Sequence, residues 1–351
     1  MDLYENPMHT DGFEFIEYAS PNPHELEELF KNLGFTAIAK HKSKDVTLYR
    51  QGEINFILNN EPNSHAAYFV HNHGPAAVAM AFRVHDAKTA HARALGLGAK
   101  DGSHAVGENE LKIPAILGIG NSLLYLVDTY GRDTIYKHDF VPLPGIDQHP
   151  RGFGLTFIDH LTHNVYQGRM DVWYDFYHRI FNFREIRYFD IKGERTGLFS
   201  RALTSPCGKI RIPLNESQDG ISQIAEYLRE YRGEGIQHVA LATDDINASI
   251  QTLRGQGIPF TSVPKSYYDV INERLPGHGL DLETLSENHI LIDGEVDGSK
   301  KNLLLQIFSK TLIGPIFFEF IQRLGHQGFG EGNFGALFEA MERDQMERGV
   351  I

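Results

Sequence analysis

The chain has one cysteine, Cys207, in 351 residues. A lone thiol excludes an intrachain disulfide framework and any zinc site built on several thiolates. Apolar runs are short, and none approaches the roughly 20 residues needed to cross a bilayer. Basic charge is also scarce. Lys and Arg total 33 against 46 Asp and Glu, a formal net charge of −13. That balance argues against nucleic acid and anionic membrane as partners. The opening residues Met1-Asp-Leu-Tyr-Glu5 lack a basic segment followed by an apolar core, so no secretory signal is expected there. The expected location is the cytoplasm. What is present, 41% hydrophobic and 23% charged residues, is ordinary globular composition, and this length suits two domains.

The stretch from His138 to Gly154 gathers Pro142, Pro144, Gly145, Pro150, Gly152 and Gly154 and marks the expected boundary between residues 1–140 and 152–351. The two halves look like distant copies. Gly12-Phe-Glu-Phe-Ile-Glu-Tyr18 resembles Gly154-Leu-Thr-Phe-Ile-Asp-His160, and a helix is expected after each. Asn22, Pro23 and Gly34 punctuate the first helix. Val172, Trp173, Phe176, Tyr177, Ile180 and Phe181 give the second its helical spacing. Met80-Ala-Phe-Arg-Val-His-Asp86 matches Val239-Ala-Leu-Ala-Thr-Asp-Asp245 without a gap through to Gly98 and Gly257. Repeated strand–helix–strands units suggest modules that pair into an open barrel with a cavity inside.

His160, His238 and Glu319 each sit in a short apolar run that reads as a strand. Groups that titrate are poorly placed there unless something neutralises or ligates them. Two imidazoles and one carboxylate form the facial ligand set of Fe(II), which leaves open positions for substrate and oxygen. Matched by sequence, the other half carries Tyr18, Ala79 and Tyr125 at these points, so the repeat itself does not require the ligands. A lone strand histidine is more often a hydrogen-bonded core residue; the joint pattern favours metal. Strand alternation turns His163 and Asp159 away from His160. His289 and His326 fall outside strand contexts.

Gln223, Gln237, Gln306, Asn215 and Ser200 surround the triad in sequence. An amide on an apolar strand needs partners, and each reads equally as a structural network or a substrate contact. Phe308, Phe317, Phe329 and Phe334 read first as core and second as an aromatic wall. Gly328, Gly330, Gly332 and Gly335 lead into a helix expected to run to about Arg348. It is either a docking helix or a lid that excludes water. Gly328-Phe-Gly-Glu-Gly332 lacks the lysine and buried strand of a phosphate loop.

Five segments together resemble the bacterial 4-hydroxyphenylpyruvate dioxygenase family. They are Asp159-His-Leu-Thr-His-Asn-Val165, Ser205-Pro-Cys-Gly-Lys-Ile-Arg-Ile-Pro-Leu-Asn-Glu216, Gly233-Glu-Gly-Ile-Gln-His-Val-Ala-Leu241, Leu303-Leu-Leu-Gln-Ile-Phe308, and Phe318-Glu-Phe-Ile-Gln-Arg323 with Gly328-Phe-Gly-Glu-Gly-Asn-Phe334. The resemblance covers nearly the whole chain; Gly335 stands where a larger residue is expected. It implies an α+β fold of two vicinal-oxygen-chelate domains, each of paired βαβββ modules forming an open barrel, plus a C-terminal helix. It implies Fe(II) on His160, His238 and Glu319, and conversion of 4-hydroxyphenylpyruvate and O₂ to homogentisate and CO₂ in tyrosine catabolism. Gln223, Gln237, Gln306 and Asn215 take the catalytic polar positions. Ser200, Phe308, Phe317, Phe329, Asn333 and Phe334 take the substrate-binding ones. The resemblance also implies a homo-oligomer, dimer or tetramer. Two rivals are a hydroxymandelate synthase acting on the benzylic carbon of the same substrate, and a metal-free binding protein on the same fold.

Overall fold

The computed structural model describes residues 2–104, 106–131, 133–192, 196–333, 335, 345, 346 and 349. Phe334 and almost all of the expected C-terminal helix lie outside these residues. Within them are two eight-stranded sheets. The first holds β1 (Phe13–Ala19), β2 (Thr36–His41), β3 (Val46–Gln51), β4 (Ile54–Asn59), β5 (Ala76–Arg83), β6 (Ala115–Leu117), β7 (Leu123–Val127) and β8 (Phe140–Pro142), in the order β6-β7-β5-β1-β4-β3-β2-β8. The second holds β9 (Leu155–Val165), β10 (Arg184–Lys192), β11 (Gly197–Thr204), β12 (Arg211–Ser217), β13 (Gly235–Thr243), β14 (Leu291–Asp297), β15 (Lys300–Phe308) and β16 (Phe317–Leu324), in the order β10-β11-β12-β9-β13-β16-β15-β14.

The two orders repeat one plan. β1 runs parallel to β4 and antiparallel to β5; β9 does the same with β12 and β13. β5 and β7 pair in parallel, as do β13 and β16. The second sheet contains two full βαβββ modules and curls as a half-barrel around a cavity. In the first sheet, the second module has only two strands after its helix among the described residues. An isolated bridge between Asp101 and Ile116 stands near the missing strand's place.

Local chemistry accounts for the helices that back the sheets. Helix Pro23–Asn32 buries Leu26 and Phe30, four residues apart, the spacing that puts two side chains on one face. Asn22 does not cap it by side chain; its amide donates to Glu25 Oε1 at 2.8 Å instead. Helix Met170–Phe181 buries Trp173, Tyr177, Ile180 and Phe181, while Val172 is exposed. The matched acids do cap: Asp86 accepts from Thr89 N and Asp245 from Ala248 N. Gly98 and Gly257 follow those helices at φ +86° and +85°, a region that favours glycine.

The halves are packed together directly. Gln51 Nε2 donates to the Leu33 carbonyl at 2.8 Å, and its Oε1 accepts from Phe153 N at 2.6 Å. Phe56 and Phe318 meet with ring centroids 6.2 Å apart. Gly120, at φ +59°, brings its backbone so close to the Glu234 carbonyl that a Cβ there would overlap it.

Candidate active site

The three expected ligands converge. His160 comes from β9, His238 from β13 and Glu319 from β16, strands that lie side by side. In register, His160 stands opposite Ala240 and Ala240 opposite Glu319, so a small side chain leaves the space between them clear. His160 Nε2 is 3.1 Å from Glu319 Oε2, His238 Nε2 is 3.4 Å from it, and the two Nε2 atoms are 3.4 Å apart. Adjacent ligands at about 2.1 Å from one ion stand about 3.0 Å apart, so the spacing suits three donors on one face of a cation. Among the described residues this is the one group of three His, Cys, Asp or Glu side chains whose donor atoms converge in this way.

Two β-bulges complete the arrangement. Asp159 is the extra residue between the pairs Leu241–Ile158 and Ala240–His160. Gln237 is the extra residue between Ile236–His163 and His238–Thr162. A bulge re-aims the side chain it inserts. Asp159 Oδ1 lies 2.9 Å from His160 Nδ1, and Gln237 Oε1 lies 2.9 Å from His238 Nδ1. Each imidazole therefore has an oxygen acceptor on the residue just before it, which commits Nδ1–H and leaves Nε2 for the centre. The expectation that Asp159 faces away from His160 is corrected by its bulge. His163 does face away, and its Nε2 is 2.7 Å from the Tyr177 hydroxyl.

Burial and mutual attraction act together on the three groups. Burial pushes the Glu319 carboxyl up, but the two imidazoles more than offset this and hold it below the ordinary value. Burial pushes His238 down, against the pull of Glu319. Burial also pushes His160 down, but Glu319 and Asp159 reverse that and raise it. Glu319 Oε1 is buried with no partner among the described residues. A carboxylate oxygen left this way at the meeting point of two Nε2 atoms fits a bound dication.

The triad lies on the wall of a cavity of about 560 Å³, part of it open to solvent. Gln223, Gln237, Gln306, Asn215, Ser200, Phe308, Phe317 and Phe329 line it with the three ligands. The amides form a row: Asn215 Nδ2 donates to Gln237 Oε1 at 3.3 Å, and Gln237 Nε2 to Gln223 Oε1 at 3.2 Å. Gln306 is fully buried, and neither of its amide atoms has a partner among the described residues. Phe317 stacks on His238 at 4.8 Å and Phe329 meets His160 edge-on at 5.3 Å. Asn333 stands apart from the lining; its Oδ1 accepts from the Tyr267 hydroxyl at 2.6 Å. Phe334 lies outside the described residues.

Sequence reasoning missed Thr162, Ile191, Leu198 and Pro213, which also line the cavity. Thr162 was within reach, being two residues beyond His160 on the same strand face. Arg323, whose fork holds Asp159 at 2.7 Å, had no local signal.

The register also corrects one equivalence between the halves. Phe15 stands opposite Ala81 and Ala81 opposite Tyr125, so the counterpart of His160 is Phe15, not Tyr18. Tyr18 faces the helix layer and meets Phe30 at 5.3 Å. Ala79 and Tyr125 keep their places. The first sheet thus fills with Phe15 and Tyr125, 5.6 Å apart, the space that the second sheet gives to ligands.

Comparison with known proteins follows the same division. Residues 4–141 match the family described as Hydroxyphenylpyruvate dioxygenase, HPPD, N-terminal. Residues 157–270 match the Glyoxalase/Bleomycin resistance protein/Dioxygenase superfamily. The chain is 58% identical over 353 residues to a 4-hydroxyphenylpyruvate dioxygenase of a Pseudomonas species, covering 100% of this chain and 99% of that one. It is 57% identical over 350 residues to the Pseudomonas aeruginosa 4-hydroxyphenylpyruvate dioxygenase, covering 99% and 97%. Among solved structures, a triple mutant of 4-hydroxymandelate synthase from Streptomyces coelicolor superposes with a TM-score of 0.84 at 26% identity, covering 96% of this chain and 100% of that one. Full-length identity at this level, together with a buried His-His-Glu face, means that the chain belongs to the 4-hydroxyphenylpyruvate dioxygenase family.

Proposed function

We propose that this chain binds Fe(II) on His160, His238 and Glu319 and converts 4-hydroxyphenylpyruvate and O₂ to homogentisate and CO₂. The observation that carries the reading is the buried ligand face opening onto a cavity, in a chain of full-length likeness to such dioxygenases. Fe(II) held there would supply the redox chemistry that couples reduction of O₂ to decarboxylation of the substrate's own α-keto acid. The protein's part is placement. Asp159 and Gln237 fix the ring orientation of the two histidines. Phe308, Phe317 and Phe329 hold the aromatic ring against the ligand face. The amides of Asn215, Gln223 and Gln237 meet the substrate's polar ends, and Gln306 offers a further buried amide to an entering ligand. Ile191, Leu198 and Pro213 keep water from the reacting carbons. Ser200 completes the polar rim, and family resemblance adds Asn333 and Phe334 to the substrate-binding set.

We read residues 1–140 as a structural domain, 152–351 as the catalytic one, and the whole as a cytoplasmic homo-oligomer, dimer or tetramer. Family likeness supports the oligomer, and sedimentation tests it. Benzylic hydroxylation to hydroxymandelate is the second reading, motivated by the structural likeness to hydroxymandelate synthase at 26% identity. Anaerobic loading with Fe(II), then addition of 4-hydroxyphenylpyruvate and oxygen, decides between them by product mass. Hydroxymandelate in place of homogentisate would overturn the assignment. A chain that binds the substrate but no metal would be a binding protein instead.

A further inference from the structure

Arg323 lies on β16, four residues past Glu319, and takes no part in lining the cavity. Its guanidinium is turned two ways. Nε and Nη2 donate to the two oxygens of Asp159, both at 2.7 Å, a bidentate fork that fixes the carboxylate plane. Nη1 donates to the carbonyls of His326 at 3.1 Å and Gly328 at 2.6 Å. Asp159 is the acceptor for His160 Nδ1, and the residue after Gly328 is Phe329, which packs edge-on against the same imidazole. Arg211 adds a second strap, with Nη1 3.5 Å from Asp159 Oδ2 and Nη2 2.9 Å from Gln327 Oε1.

We propose that Arg323 is a positioning residue that ties the orientation of His160 to the seating of segment 326–329. One edge of the guanidinium holds the carboxylate that aims the metal ligand. The other holds the backbone that lays Phe329 on that ligand. The proposal rests on the metal reading of the triad. Losing a partner behind a metal-bound histidine typically costs about 10- to 100-fold in metal affinity. Lysine can neutralise Asp159 as a point charge but cannot reproduce the fork and both carbonyl contacts.

The test uses the full chain and three variants: Arg323→Met, Arg323→Lys, and Arg323→Met combined with Asp159→Asn. Each is loaded anaerobically with Fe(II), and with Co(II) as a spectroscopic probe. Metal affinity is read by chelator competition, and the seating of the segment by hydrogen exchange at amides 326–333. Arg323→Met is expected to weaken metal binding by about 10-fold or more and to speed exchange across the segment. Arg323→Lys keeps metal binding within about threefold and still loses protection there. The double variant carries no stranded buried carboxylate and keeps an acceptor for His160 Nδ1. It reports on the segment even where the single variant misfolds. Wild-type affinity in a folded Arg323→Met chain, or wild-type protection in the double variant, overturns the proposal. Failure of the unmodified chain to bind Fe(II) or Co(II) sinks the metal reading instead.

Discussion

Glu17 offers a measurement of what it costs this fold to bury an acid without a ligand role. It lies on β1, stands opposite Ala79 in register, and is almost completely buried. Burial drives its carboxyl from the ordinary 4.5 up to about 7, against the hydrogen bond from Asn59 and the charge of Lys44. The folded value lies above the unfolded one, so the stability is fully present below the unfolded value and is lost as pH rises through the folded one. Between pH 4.5 and 7 the unfolded chain releases this proton first, and the folded chain loses about 3 kcal/mol. Glu17→Gln keeps the oxygen that accepts from Asn59 and cannot ionise. The variant should therefore match the wild type near pH 4.5 and exceed it by up to about 3 kcal/mol at pH 8. Urea unfolding of both proteins from pH 5 to 8.5 gives that difference directly, and other titrating groups cancel in the subtraction. A difference that stays flat across the range would refute the reasoning, because it would mean that Glu17 ionises alike in both states.

Other perturbations address the second half. Glu319→Ala should abolish oxygen uptake and leave the circular dichroism unchanged. It should also remove the metal-dependent gain in stability, about 2.7 kcal/mol at a free-metal concentration of 100 Kd; unchanged turnover would refute the ligand role. Deleting the chain from Gly328 onward removes Phe329 from His160 and should cut homogentisate yield by on the order of 10-fold or more. An unaffected yield would reduce the tail to a docking element. Gly120→Ala places a Cβ on the Glu234 carbonyl at a positive φ and should cost at least about 1–2 kcal/mol, seen as a lower Tm; an unchanged Tm would mean that the contact between the halves yields freely.

The repeat was legible where the chain keeps its pattern intact. The ungapped match from Met80 to Gly98 with Val239 to Gly257 survives as register: Ala79 stands opposite Leu123 as His238 stands opposite Phe317. Its acidic caps, Asp86 and Asp245, do what their positions predict. The ligands were legible because titratable groups stand out in apolar strands. The bulges at Asp159 and Gln237 were not, because strict alternation is the rule that a strand sequence suggests and one inserted residue breaks it without a mark. Tyr18 stood where Phe15 belongs for another reason: the likeness of Gly12-Phe-Glu-Phe-Ile to Gly154-Leu-Thr-Phe-Ile aligns the two strands three residues out of register. Arg323 was invisible for a different reason: its partner Asp159 is 164 residues away, and no periodic pattern links them.

The same two bulges recur in the first sheet, at Glu14 and Val78, so the halves differ in the residues that one shared plan carries. In the first sheet, Phe15 and Tyr125 close the interior and Ala79 makes no demand. In the second, the equivalent places carry three polar groups, each of which must be satisfied or destabilise the core. A regular strand would point the residue before each histidine to the opposite face, leaving both Nδ1 atoms bare. The inserted residue instead turns an oxygen to each ring, at 2.9 Å in both cases. That solves the desolvation problem of the imidazoles and fixes their aim with the same hydrogen bond. Glu319 Oε1 receives no such help from the described residues, and the charge it keeps is what a cation between the three side chains would neutralise.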